Sequence, residues 1–412
     1  MKKLISMMLC AVMLLTLASG CASNSDSPAA SQGTTAAATA APAANGETAN
    51  VSTDSGAFDQ FARPAIKADG ALKIACIHPK PEVESQKRSI LQCELESKMR
   101  GWTFQDIVYD SDSEWADLFK NVVNQGVDAI ILGSTESMEA KLDLIAEARN
   151  KGIGVYSNDN QVVPGVIMNS TMPNGSAAMS LIYKIGNDYN WTAKIGFATA
   201  ATIQVHQERI LPIQAICNVY SNLEVLDTLD SGAGGADPFT YCGDQSKTWY
   251  QKYGKEITGV IGSCDALAMP MAEAAAQYAD SLNSDFFCAG IDGGSDAWSY
   301  IRNGSYFKYS YAQPFEMFTH KVFECIDQIQ VKGLNPGDEG CLLEKVGEVL
   351  YSEGMVITPE NCPAPGANIN SIFDYYTDDA SAWYNWEGTY IISEVCHNVL
   401  NVFAQQFGQA LQ

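Results

Sequence analysis

From Leu72 to Ile291 short apolar runs alternate with longer amphipathic stretches, and this alternation constrains the fold more than any other feature of the chain. The runs are L-K-I-A-C-I (72–77), F-Q-D-I-V-Y (104–109), V-D-A-I-I-L-G (127–133) and G-V-Y-S (154–157), then K-I-G-F-A (194–198), L-E-V-L-D (223–227), G-V-I-G-S (259–263) and F-F-C-A-G-I (286–291). They are short and rich in β-branched or aromatic residues, which suits parallel strands covered on both faces. The stretches over 82–100, 115–124, 138–150, 207–220, 247–253 and 266–278 are predicted helices. Parallel strands need crossovers, and a helix packed back on the sheet supplies each one. Two such series predict an α/β chain of two doubly wound parallel-sheet lobes joined by a hinge. Ligands of such sheets bind beyond the carboxyl ends of the strands, so the predicted site is the cleft between the lobes.

The residues before the first strand have another character. Lys2 and Lys3 precede an apolar run over 4–17 that ends in L-A-S-G-C (17–21). This pattern predicts an export signal over 1–20, too short to persist as a bilayer span. The small residues before Cys21 resemble the bacterial lipobox, with Ala18 where a leucine is usual and Leu17 one step earlier. The resemblance implies a lipid on Cys21 as the membrane anchor. Residues 21–56 are mostly Ala, Ser, Thr, Asn and Gly, which cannot bury enough surface to offset ordering, so they are expected to form a flexible tether.

Charge and cysteine content narrow the function. Twenty-five Lys and Arg stand against 48 Asp and Glu, a formal charge of −23 that opposes binding to a phosphate backbone. Nucleic acid is therefore not an expected partner. Of 12 cysteines, ten remain beyond Cys10 and Cys21, and several sit inside apolar runs, as Cys76 and Cys288 do. No C-x-x-C occurs and no His/Cys cluster has zinc spacing, so mostly free thiols and no metal are expected. There is no G-x-S-x-G elbow and no P-loop, and none of the four histidines has a convincing nucleophile beside it, so no enzyme activity or cofactor is expected.

Polar residues cluster where the predicted strands end. Asp110 follows the second run, Asn158-Asp159-Asn160 the fourth, Cys264-Asp265 the seventh and Asp292-Gly293-Gly294 the eighth, while Gln313 precedes Pro314. With Q-G-V-D-A-I-I-L-G (125–133), K-G-I-G-V-Y-S-N-D-N (151–160), G-V-I-G-S-C-D-A-L-A-M (259–269), A-G-I-D-G (289–293), Y-A-Q-P (311–314) and M-V-I-T-P-E-N (355–361), the chain resembles the type 1 periplasmic binding proteins, most closely the ribose/galactose-type sugar-binding lipoproteins. The resemblance covers about 72–361.

That resemblance implies an N-terminal lobe of 70–168 and 314–335, a C-terminal lobe of 169–313 and 336–361, and an aromatic-rich extension over 362–412. It implies ligand contacts from Asp159, Asn160, Arg209, Asp292 and Gln313, with Phe239 against the sugar face, while Asp265 either contacts ligand or caps the helix that begins at Ala266. Buried sugar hydroxyls need both donors and acceptors, and charged partners make the stronger bonds. Three positions depart from the family pattern. H-P-K-P-E-V-E-S (78–85) lacks its aromatic pair, Cys264 replaces an asparagine, and Asn160 replaces an arginine; His78 and Lys80 would suit an anionic ligand. The implied function is a monomeric, extracytoplasmic, lipid-anchored solute-binding protein. It would capture a sugar by hinge closure and deliver it to an ABC transporter permease. The alternative is a sensor of the same fold that signals to a chemoreceptor or kinase.

Overall fold

In a computed structural model of the chain, the structure describes residues 57–393 apart from 82, 134–137 and 236. The expected signal, Cys21, the tether, Cys396 and the chain after 393 lie outside the described residues. The first series runs β1 (Lys73–Pro79), α1 (Glu84–Arg100), β2 (Thr103–Tyr109), α2 (Asp112–Asn124), β3 (Ala129–Gly133), α3 (Leu142–Asn150), β4 (Gly154–Asn158) and β5 (Met168–Thr171). The second runs α4 (Asn174–Asp188), β6 (Ala193–Thr199), α5 (Gln204–Val219), β7 (Leu223–Asp230), α6 (Pro238–Tyr253), β8 (Gly259–Gly262), α7 (Asp265–Ala276), β9 (Phe287–Asp292), α8 (Ser295–Arg302) and β10 (Phe307–Ala312). Helix α9 (Phe315–Ile326) and strands β11 (Glu348–Tyr351) and β12 (Met355–Ile357) follow.

The strands form two sheets, ordered β11-β5-β4-β3-β1-β2 and β12-β10-β9-β8-β6-β7. All pairings are parallel except β12 on β10. The period of two along a strand assigns side chains to opposite faces. Ala75, Ile77, Ile130 and Leu132 join Trp115, Phe119 and Ile145 on one face of the first sheet. Their neighbours Ile74, Cys76, Ala129 and Ile131 join Cys93, Val322, Phe323 and Ile326 on the other. The second sheet is also covered on both faces, by Ile182, Ile185 and Ile213 on one side and Trp249, Met271 and Trp298 on the other. Double coverage explains why the runs are apolar throughout rather than alternating.

The chain crosses between lobes three times, at 172–173, 313–314 and 352–354, because β5 and β11 pair in the first sheet and β10 and β12 in the second. This corrects the expected lobe limits. The division at 168/169 cuts through β5, and the stretch 336–361 is shared between lobes. Its β11 pairs in register with β5 (Glu348 opposite Met168, Tyr351 opposite Thr171), so the crossing falls after β11 rather than before it. Helix α6 also begins earlier than expected. The Asp237 side chain accepts from Thr240 N at 3.0 Å and Pro238 occupies the first turn, a start signal hidden behind a glycine-rich loop.

The extension touches both lobes. Ile369, Phe373 and Ile392 enter the C-terminal core, while Trp383 stacks on His320 of α9 with ring centroids 4.4 Å apart. All nine described cysteines are free.

Candidate functional site

The strand ends of both sheets meet around one cavity of about 210 Å³. From the N-terminal lobe, β4 delivers Asn158 and Asp159, and β1 and α1 deliver His78, Ile90 and Cys93. From the C-terminal lobe come His206 and Arg209 of α5, Phe239 of α6, Leu267 of α7 and Asp292 of β9.

The two facing carboxylates sit on unusual backbone. Asp159 has φ +54° and Asp292 has φ +151°, the first a left-handed conformation that Asp tolerates and the second one that L residues rarely adopt. For Asp292 the surroundings that hold it are identifiable. Gly293 follows with φ +71°, and a Cβ there would lie 2.3 Å from Ala312 Cα, so only glycine fits. Below the loop Asp265 accepts from Gly293 N at 2.8 Å and from Ser310 Oγ at 2.7 Å. Gln313 Nε2 donates to Asp292 Oδ1 at 2.7 Å. For Asp159 the clamp is Thr171, whose hydroxyl donates to Oδ1 at 2.6 Å.

Arg209 lies between these groups and is itself buried. Its Nε donates to Asn174 Oδ1 at 2.9 Å, and Nη1 donates to Ser263 O at 2.8 Å and to Asp292 Oδ1 at 3.4 Å. Of a guanidinium's donors, those on Nη2 bond no described residue. Burial pushes the Asp292 carboxyl up to about 6, against the pull of Arg209 and with Asp159 adding to the rise. Burial likewise raises Asp159, with Thr171 and Arg209 opposing. Burial, then Arg209, lower His206 to about 3, so its imidazole is neutral at ordinary pH; Nδ1 lies 2.7 Å from Ser263 Oγ.

His78 has the opposite character. Its Nδ1 faces Pro79 O at 2.6 Å and its Nε2 faces Asp106 Oδ1 at 2.5 Å. Both partners are acceptors, an arrangement that favours the doubly protonated ring. Burial opposes that charge, yet Asp106 carries the pKa above the usual value. The charge is thereby answered within the N-terminal lobe.

Not every expected site residue faces the cavity. Asp159, Arg209, Asp292 and Phe239 line it, and Gln313 lies behind, orienting Asp292. Asp265 neither lines it nor caps α7: it is the first residue of the helix, and its carboxyl carries the Asp292 loop. Asn160 turns into the lobe. Its Oδ1 accepts from Gln161 N at 2.8 Å, its Nδ2 rests 3.7 Å from Met138 Sδ, and Asn169 brackets its backbone. The left-handed turn at Asp159 sends the next side chain away from the cleft.

Some functional residues escaped sequence reasoning. His206 lies three positions before Arg209, on the same face of α5, a signal that was available. Glu84 and Arg88 of α1 gave none. Arg88 forms a bidentate pair with Glu316 of its own lobe at 2.8 and 2.7 Å, and reaches across to Gly293 O at 3.1 Å. Glu84 accepts from Ser295 N at 3.0 Å and Ser295 Oγ at 2.7 Å, holding the start of α8 from the opposite lobe. Gln161 and Gln204 hydrogen-bond across the lobes near Asp159.

Two lobes of this topology, closed on a charged cleft, can be compared with known proteins. Residues 92–322 match the family model for the periplasmic binding protein domain. The chain belongs to that family. Similar solved structures include a galactofuranose binding protein (15% identity, TM-score 0.60, covering 71% of this chain and 96% of that one). A sugar ABC transporter protein from Yersinia enterocolitica aligns at 18% identity and TM-score 0.62, covering 78% and 97%. The periplasmic binding component of the arabinose ABC transporter from Shewanella sp. ANA-3, bound to L-arabinofuranose, aligns at 14% and 0.61, covering 70% and 93%. At these identities the likeness establishes the fold, a two-lobed α/β binding-protein architecture whose family is extracytoplasmic. Comparison with curated proteins gives no match.

Proposed function

We propose that this protein is the solute-binding component of an ABC transporter, that it captures a sugar by hinge closure and that it passes the sugar to a permease. The proposal further takes Cys21 as the lipid attachment point that keeps the body at the membrane. One observation carries this reading: carboxylates from opposite lobes, Asp159 and Asp292, line a single cavity with Arg209 between them. Hydroxyls supply what these groups lack, donating to the carboxylates and accepting from Nη2. The site then completes its bonding only when the lobes are together, so ligand shifts the open–closed equilibrium toward the closed state. A permease that reads the closed lobe surfaces would thus distinguish loaded from empty protein.

Thermal unfolding against a panel of pentoses, hexoses, cyclitols and sugar phosphates tests the reading. A ligand at about 100 times its Kd adds roughly 2.7 kcal/mol, several degrees for lobes of this size. A neutral sugar is expected to raise the transition in the native protein and to raise it clearly less in Asp292→Ala. A response confined to sugar phosphates would contradict it.

A further inference from the structure

The charges that meet in the cleft do not balance, and the imbalance bears on the chemical class of the ligand. Asp159 and Asp292 line the cavity from opposite lobes, and Arg209 is the one Arg or Lys among its described lining residues. The histidines do not restore the balance. His206 is neutral at ordinary pH, and His78 faces its own carboxylate, Asp106, at 2.5 Å. The other polar side chains on the lining, among them Ser85, Gln86, Ser89 and Ser231, carry no charge.

The next layer outward adds acid rather than base. Arg88 is matched by the carboxylate of Glu316 at 2.8 and 2.7 Å. Glu208, beside Arg209 on α5, accepts only from neutral amides, Asn174 Nδ2 at 3.1 Å and Gln204 Nε2 at 2.9 Å. Asp265 accepts from the Gly293 backbone and the Ser310 hydroxyl, and Glu84 from Ser295, all neutral donors.

A carboxylate taken out of water is costly unless a cation answers it, and one guanidinium cannot fully answer two. Arg209 reaches Oδ1 of Asp292, whereas the donor to Asp159 is the Thr171 hydroxyl. Oδ2 of each carboxylate bonds no described residue. Ligand hydroxyls could donate there but would leave the extra charge unanswered. An ammonium group supplies the donors and the charge together.

We infer that the ligand is an amino sugar, a ring that carries one ammonium group among its hydroxyls. The inference rests on the sugar-binding reading above and specifies which sugars the site prefers. The ammonium donates to Asp159 and Asp292, while ring hydroxyls meet Nη2 of Arg209 and the serines of α1.

Calorimetric titration of the full chain at pH 7 with matched sets tests this. Each set holds D-glucose or D-galactose, its 2-amino-2-deoxy or 6-amino-6-deoxy form, and the N-acetyl derivative of that amine, which keeps the nitrogen and loses the charge. In at least one set the amine is expected to bind at least about 10-fold tighter than its parent and its N-acetyl derivative, the scale of a hydrogen bond to a charged group. Asp159→Asn removes one charge and keeps the shape. It is expected to shrink that ratio, with the thermal transition of the free variant showing that it is folded. An undiminished ratio in the folded variant overturns the inference. Parents within a few-fold of every amine, or tighter, also overturn it and leave the sugar-binding reading standing. Binding of no member of any set overturns it too, and a response to sugar phosphates or acyclic diamines instead overturns the reading beneath it.

Discussion

The two lobes contribute unequally to the cleft. The C-terminal wall is braced: Arg209 is held by Asn174, Ser263 and Asp292, and Asp292 by Gln313 and by a loop resting on Asp265. The N-terminal wall offers one carboxylate, Asp159, clamped by a single hydroxyl, beside side chains that include Ser85, Gln86, Ser89, Cys76 and Ile90. A braced wall binds at little reorganisation cost, whereas a sparse one contributes only when brought close. On the proposed function, that difference leads us to expect that ligand meets the braced C-terminal lobe first and that the N-terminal lobe then closes on it.

The strongest way to break this comparison is at the joint that serves both walls. Arg88→Ala leaves Glu316 buried without its partner and releases Gly293 O. Removing one member of a buried pair costs about 3–5 kcal/mol, so chemical denaturation is expected to register a loss of that order. An unchanged midpoint would show that the pair is not a structural joint.

Next come the walls themselves. Arg209→Ala is expected to weaken sugar binding by a factor on the order of 100, since charge-assisted bonds contribute about 1.5–3 kcal/mol each. Asp159→Asn, on the sparse wall, is expected to cost about 10-fold, mostly as faster dissociation. Stopped-flow rates check the contrast, and a larger effect at Asp159 than at Arg209 would invert the proposed order.

Acidity gives a finer test. The Asp292 carboxyl of the free protein is pushed up to about 6, and its ionised form is the one that accepts from hydroxyls. Affinity is then complete above that pH and falls as pH drops through it, by up to about 10-fold per unit. The sign for stability is opposite. The folded protein holds this proton more tightly than the unfolded chain, so acidification favours the free fold until the unfolded carboxyl also protonates, near pH 3.9. Titrations between pH 5 and 8 should show the fall in the native protein and a shallower one in Asp292→Asn, where Asp159, also raised by burial, still titrates.

The smallest effect concerns the extension. Trp383 stacks on His320 of the N-terminal lobe, while Phe373 and Ile392 anchor the same segment in the other. Trp383→Ala is expected to lower stability by about 1 kcal/mol, the scale of an aromatic pair, and to widen the lobe angle seen by small-angle scattering.

How much of this was legible in sequence follows from which interactions are local. The sheets were, because strands covered on both faces must be apolar throughout, as Ala129–Gly133 is. Asp159 and Asp292 were, because strand carboxyl ends are where such folds place ligands. The pairing of β11 was not, since a four-residue strand carries no mark of which sheet it joins. Asn160 and Asp265 went astray for a related reason. Each adjoins a site-facing position, and one backbone turn decides whether its side chain meets ligand or framework. Glu84 and Arg88 act across the lobes, through partners more than 200 positions away, which no local pattern encodes.

The central claim is that one sugar is held by charged groups from both lobes at once. Its most direct test is calorimetric titration of a bound sugar into the native protein, Asp159→Ala and Asp292→Ala, with thermal unfolding to verify that each variant is folded. The account predicts that both variants lose at least about 10-fold in affinity, the cost of a charge-assisted bond. Native-like affinity in a folded Asp159→Ala would show that the N-terminal wall does not hold the ligand, and would contradict it.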